Sequence, residues 1–214
     1  MFGLNILEII FLFFFFSFSG WAGECIMESI VRKRFVNKGF FKGPYVPVHG
    51  VGAFFIYAFC MPLKPYPYLV FVVSTLVCTA IEYIAAIFLE KVFGSKGWDY
   101  TTYPFTKKCH YKGRIAVTTS VFFGLVSMGI IYFFWDAGVF IMNLPGEKLL
   151  IIIDIALCVI LLTDLVYTSI LTIRNKKAGI PNKTPGIEHL AEPPVSNPNG
   201  QDFRKNSEEG SCAT

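Results

Sequence analysis

The sequence predicts an all-α, polytopic integral membrane protein with five transmembrane helices, its N-terminus outside and its C-terminus in the cytoplasm. Three observations predict it. Hydrophobic residues make up 54% of the 214 positions and charged residues 16%, with a mean hydropathy of +0.54. A soluble domain carries about 25% charged residues. The apolar residues fall in runs close to the roughly 20 that a helix needs to cross about 30 Å of hydrocarbon. They do not form the short alternating segments of a β-barrel. Basic connections, finally, alternate with non-basic ones along the chain.

The first helix runs from about Leu4 to Val31. It contains the phenylalanine wall of "FLFFFFSFSGWAGECIMESIVRKRF", residues 11 to 35. Phe11 and Phe13 to Phe16 surround it and can face lipid. Ser17, Gly20 and Gly23 are small and let neighbouring helices approach closely. A cleaved secretory leader needs a basic start and a short apolar core. No Lys or Arg precedes Arg32, and the run is too long. The second helix, from about Tyr45 to Met61, is short and opens among Pro44, Pro47, Gly50 and Gly52, so a re-entrant or broken path stays open. The third runs from about Pro67 to Phe93, the fourth from about Arg114 to Trp135, and the fifth from about Lys148 to Ile173.

Charge orients these helices. Arg32, Lys33, Arg34, Lys38 and Lys42 follow the first, and Lys64 alone follows the second. Lys96, Lys107, Lys108 and Lys112 follow the third, Lys148 follows the fourth, and Arg174, Lys176 and Lys177 follow the fifth. Cytoplasmic connections carry the basic excess, so the alternation supports both the count and the orientation. Residues 1–177 form the membrane domain. Residues 178–214, rich in Pro, Asn, Gly, Ser and Glu, are expected to be a disordered cytoplasmic tail. The expected location is the cell membrane, with anionic lipid as a generic partner. No RNA-binding or helix-turn-helix pattern accompanies the basic residues, so nucleic acid is not expected as a partner. The six cysteines form no CxxC pair. Cys109 and His110 stand as a lone pair, so neither a metal nor a cofactor is expected.

Ionisable side chains within a span cost roughly 2.5–3.5 kcal/mol each at a helix centre. The candidates are Glu24, Glu28, Glu82, Glu90, Asp154 and Asp164. At a rise of about 1.5 Å per residue, Glu24 and Glu82 lie about 12 Å inside the cytoplasmic edge, Glu28 about 6 Å and Asp164 about 15 Å. His49 and Arg114 fall in the first turns of the second and fourth helices. Glu24, Glu28, His49, Glu82, Arg114 and Asp164 therefore fall in the inner half of the bilayer, where they are expected to line a polar cavity open to the cytoplasm. Asp154 lies near the outer face, apart from them. "NKGFFKGPYVPVHGVGA" (37 to 53) and "GWDYTTYPF" (97 to 105), with Trp98, Asp99, Tyr100 and Tyr103, are placed to cap that cavity. The competing assignment makes Glu28, Glu90 and Arg114 interfacial anchors and the loop aromatics an interfacial belt.

The succession "SGWAGE", "NKGFFKGPYVPVHGVGA", "EYIAAIFLEKVFG", "WDYTTYPF" and "GRIAV", from about Phe16 to Trp135, resembles a bacterial membrane family catalogued as putative ABC-transporter type IV, or ABC transporter permease. The resemblance implies signature roles for Gly20, Trp21, Glu24, Gly39, Gly43, Pro44, Pro47, Gly50, Gly52, Glu82, Glu90, Trp98, Asp99, Tyr100, Gly113 and Arg114. Two departures stand out. His49 occupies a position that is often aromatic in the family. The family's "PFN" shortly before "GRI" is here "PFTKKCHYKGRI", with Thr106 for the Asn.

Three functions stay open. As a transport component, the chain would need a separate ATPase subunit, because it has no GxxxxGK[ST] loop of its own. Five helices are few for a translocation path, so a homo-oligomer is expected with it. A membrane-embedded enzyme at the inner leaflet would use the carboxylates, His49 and Arg114 as acid, base and anion-binding groups. No HExxH or GxSxG fixes a reaction, and catalytic residues stay unassigned. A lipid- or partner-binding protein would use the same cluster to hold its helices together.

Overall fold

A computed structural model describes residues 4–37, 39–93, 97–101, 106 and 109–177. The chain is mostly helical. Helix α1 spans Ile6–Arg32, α2 Pro47–Cys60, α3 Pro67–Phe93, α4 Val117–Gly129, α5 Trp135–Met142 and α6 Glu147–Lys177. Two short antiparallel strands, β1 His110–Tyr111 and β2 Ile115–Ala116, precede α4, with His110 opposite Ala116 and Tyr111 opposite Ile115.

Four helical stretches are long and apolar enough to cross a membrane: Ile6–Ile30, Pro67–Val92, Val117–Met142 and Glu147–Asn175. The chain is a membrane protein. The remaining apolar helix, Pro47–Leu63, is shorter. Asn5 caps α1: its side chain accepts from Glu8 N, while Glu8 accepts from Asn5 N at 2.8 Å. This reciprocal capping box satisfies two otherwise orphaned donors. Helix α2 is regular, with Pro47 in its first turn and one 3₁₀ turn, Met61–Leu63, at its end. Proline fits the first turn because its missing N–H has no intrahelical partner there.

The fourth span is displaced from its expected position. Helices α4 and α5 are joined without a break through a π-helical segment, Ile130–Phe134, and the helix continues to Met142. Asp136 therefore lies on a helix and not in a loop. Arg114 does not sit on the helix at all. It lies in the hairpin, between Gly113 and β2. The hairpin turns on Lys112 (φ 52°) and Gly113 (φ 69°). Two consecutive positive φ angles match the turn that joins twisted antiparallel strands.

Helix α1 packs on α2, α2 on α3, and α3 on α4, while α6 lies mainly against α1. Gly50 makes the first contact close. A Cβ there would stand 2.6 Å from the Phe13 carbonyl oxygen and 2.4 Å from Ser17 Oγ. One core cluster gathers Leu12, Phe16, Ala53, Trp135, Met142 and Leu150. Within it Trp135 stacks on Tyr57 at 3.8 Å and on Phe16 at 5.6 Å between ring centroids. A second cluster gathers Ile56, Cys60, Val70 and Ile131. The phenylalanine wall is thus not uniformly lipid-facing, because Phe14 and Phe16 are buried within the protein. Helix α6 is the least buried span and turns Ile152, Val159, Leu162, Val166 and Ile170 outward.

Candidate functional site

Helix α1 carries Gly20, Glu24 and Glu28 on one face by their spacing of four residues. Gly20 has no side chain where α2 brings His49. A Cβ at Gly20 would stand 2.3 Å from His49 Cγ, so the imidazole lies directly on the α1 backbone. From that seat His49 Nε2 reaches Glu24 Oε1 at 2.8 Å. The two side chains are 22% and 28% exposed, so the pair is largely covered by the protein. On its other side the His49 ring lies 6.2 Å from that of Phe123.

Glu82, on α3, is buried. The Tyr100 hydroxyl donates a short hydrogen bond to its Oε1. Burial pushes the Tyr100 pKa up, and the charges of Glu82 and then Glu24 push it further in the same direction. Tyr100 therefore stays a neutral donor, and its hydroxyl feels both carboxylates. The structure thus brings Glu24, His49, Glu82 and Tyr100 together. Glu28 is buried on the same face of α1.

The loop that delivers Tyr100 is built from the other predicted residues. Tyr100 N donates to Gly113 O at 2.9 Å, and Trp98 Nε1 donates to Arg114 O at 2.8 Å. Both bonds tie residues 97–101 to the hairpin. Asp99 Oδ1 accepts from Thr101 N at 3.0 Å and from Thr101 Oγ1 at 2.7 Å, a local turn. A Cβ at Gly113 would stand 2.5 Å from the same Asp99 oxygen. Thr106, which replaces the resembled family's Asn, is buried, and its hydroxyl donates to Tyr100 O at 2.6 Å. The departure keeps a polar contact in this loop. Tyr103 lies outside the described residues.

Arg114 does not reach the inner glutamates. Its guanidinium forks onto Glu90, with Nη2 to Oε2 at 2.6 Å and Nε to both oxygens at 3.2 Å. The charge-assisted bidentate geometry is directional as well as strong. It clamps the hairpin onto the end of α3. Trp98, Asp99 and Arg114 are thus scaffold for Tyr100.

Asp164 also serves elsewhere. It accepts from Gly43 N at 2.8 Å, Tyr45 Oη at 2.6 Å, Thr168 Oγ1 at 2.9 Å and Lys42 N at 3.3 Å. It therefore straps the connection between α1 and α2 onto α6. The Lys42 ammonium, 4.1 Å from the Tyr167 ring centroid, reinforces the strap. Burial, then the Asp164 hydrogen bond and charge, raise the Tyr45 pKa. Trp21 Nε1 donates to Asn37 Oδ1 at 2.9 Å at the start of the same connection. Reading the sequence missed Tyr45. Its only signal is its place between Pro44 and Pro47.

Chemically, the cluster offers an imidazole–carboxylate pair able to exchange a proton, and a phenol–carboxylate pair able to hold a polar group. No group of three or more His, Cys, Asp or Glu that could hold a metal ion occurs among the described residues. A separate groove of about 350 Å³ opens between α1, α2 and α6 and is lined by apolar side chains and Cys158.

A family model described as putative ABC-transporter type IV matches residues 11–169. The match extends past the motif region into α6. No curated protein and no solved structure matches the chain.

Proposed function

This chain belongs to the putative ABC-transporter type IV family, and from that premise we propose that it is a permease-like component whose polar site faces the cytoplasm. In this proposal the chain crosses the bacterial cell membrane five times, N-terminus outside, with α2 as the fifth span. Residues 1–177 are the membrane domain and residues 178–214 a cytoplasmic tail. Glu24, His49, Glu82 and Tyr100 form the substrate-contacting set. Glu28 flanks them, and Arg114, Asp164, Trp98 and Asp99 hold their supports.

The observation that carries the proposal is Tyr100. A loop residue reaches a buried carboxylate on α3 while its hydroxyl also feels Glu24 on α1. The bond satisfies a buried carboxylate, and it also sets a loop-borne donor beside groups from α1, α2 and α3. Two pre-placed carboxylates with a neutral donor and an imidazole suit a polar or amphipathic solute at the inner leaflet. Energy comes from a separate ATPase subunit, because the sequence has no phosphate-cradling loop, and lipid and a second copy complete the path.

Cross-linking full-length protein in its native membranes, followed by purification and mass spectrometry, tests the assignment. A P-loop ATPase recovered in near-stoichiometric amount, cross-linked to the cytoplasmic connections, is the expected result. Recovery of the chain with no ATPase under conditions that retain a known transporter's ATPase would reject the transport assignment.

A further inference from the structure

Asp154 stands apart from the cytoplasmic site and has no role in it. It is the eighth residue of α6, about 10 Å along the helix from its start. Asp164 lies about 15 Å further along the same helix. Asp154 is 1% exposed, and neither carboxylate oxygen has a hydrogen-bond partner among the described residues. It is flanked one turn away by Leu150, in the core cluster, and on the other side by Cys158, in the wall of the apolar groove.

A charged carboxylate in such a place is costly. An ionised acid in apolar surroundings either finds a counter-charge or takes up a proton. The ionisable groups on the packed elements are otherwise occupied. On α1, Glu8 closes the capping box with Asn5, and Glu24 pairs with His49 of α2; on α3, Glu82 is bonded to Tyr100 and Glu90 to Arg114. On α5, Asp136 lies 3.9 Å from Lys64. On α6, Asp164 is bound to the strap. Two oxygens alone also make a poor cage for a metal cation, which takes six or more oxygens when it is hard.

We infer that Asp154 is a proton-binding site in the outer half of the membrane domain, holding its carboxyl as the neutral acid. The ligand is a proton, and binding is the reaction of carboxylate with proton to give carboxylic acid. The groove gives hydrophobic molecules an approach, since Cys158 and Leu161 lie one and two turns from Asp154 on the same side of α6. A site of this kind couples movement or stability of the membrane domain to proton concentration. It holds whether or not the cytoplasmic cluster binds substrate.

Hydrophobic carbodiimides react with protonated carboxyls and not with carboxylates. Full-length protein in detergent micelles is treated with dicyclohexylcarbodiimide from pH 6 to 9, and the Asp154 peptide is quantified by mass spectrometry. Modification at pH 6 to 7 that falls several-fold by pH 9 and is unaffected by sodium is expected. Absence of modification at every pH, or protection by millimolar sodium, overturns the inference. Thermal melts of wild type and Asp154→Asn over the same range give a second test. Asn mimics the neutral acid, whereas the unfolded wild-type carboxyl ionises at about pH 3.9, so the variant should already exceed wild type at pH 6, and the gap should widen with pH until the folded Asp154 itself ionises. A gap that does not change with pH, or a variant less stable throughout, overturns it.

Discussion

Replacing Asp164 should release the α1–α2 connection from α6, and the structure gives the size of the effect. Asp164→Ala deletes four acceptor contacts. Thr168 can turn its hydroxyl back to a carbonyl of its own helix, so its bond costs little. The Lys42 contact, at 3.3 Å, is long and contributes little. Gly43 N–H and Tyr45 O–H remain, each bonded to a carboxylate, at about 1.5–3 kcal/mol per bond. Partial exposure of Asp164 brings the expected loss to about 2–4 kcal/mol. For a chain of this size that is a fall in Tm of roughly 5–15 °C. Tyr45→Phe removes one of the two bonds and should cost about half as much. Equilibrium unfolding in mixed detergent micelles supplies the four corners of the cycle. The double variant should show a coupling of about 1–2 kcal/mol. A fall in Tm below about 2 °C for Asp164→Ala, or strict additivity with Tyr45→Phe, would refute the strap.

Gly50→Ala should destabilise by about 1–3 kcal/mol or more, because the new methyl meets the Phe13 carbonyl, which cannot step aside as a side chain would. A Tm within 2 °C of wild type would contradict it. Gly20→Ala should displace the His49 ring from Glu24. Its destabilisation, about 1–3 kcal/mol from overpacking, should not add to that of His49→Ala, and full additivity would show that the ring is seated elsewhere. Tyr100 and Tyr45 should resist ionisation. Their folded pKa values lie above the unfolded value of 10, so their stability contribution is complete below pH 10 and is lost only as pH rises through the folded values. Absorbance at 295 nm at pH 11 should therefore be the same in wild type, Tyr100→Phe and Tyr45→Phe, because the tyrosine each variant lacks is one still protonated at that pH. Ionisation of all ten tyrosines together near pH 10 would count against both sites.

Four long spans were legible, the fourth with shifted ends, because length and hydropathy suffice for them; the second helix, read as a further span, is shorter than these. Helix α3 occupies Pro67–Phe93, the stretch read from the sequence. Glu24 and His49, which the sequence put in one candidate set, do meet at 2.8 Å. The hairpin was not legible. Its strands have two residues each, and its Lys-Gly turn is a weaker signal than Asn-Gly. Arg114 was accordingly placed on a helix. The faces of α1 were illegible for another reason: a helix apolar all round has no stripe to point inward, so nothing marked Phe14 and Phe16 as core. The Asp164 strap joins residues 119 to 122 positions apart. No local pattern announces such a partner.

The central claim is that Glu24 and Glu82 line a binding site and are not merely structural. Glu24→Gln, Glu82→Gln and the double variant should be melted in detergent with and without a lipid extract of the source membranes. Gln keeps the shape and an acceptor for Tyr100, so the account predicts apo Tm values within a few degrees of wild type. It also predicts that stabilisation by one lipid fraction disappears in the variants. A steep, non-additive fall in apo Tm, with lipid stabilisation unchanged, would make the carboxylates structural and contradict the account.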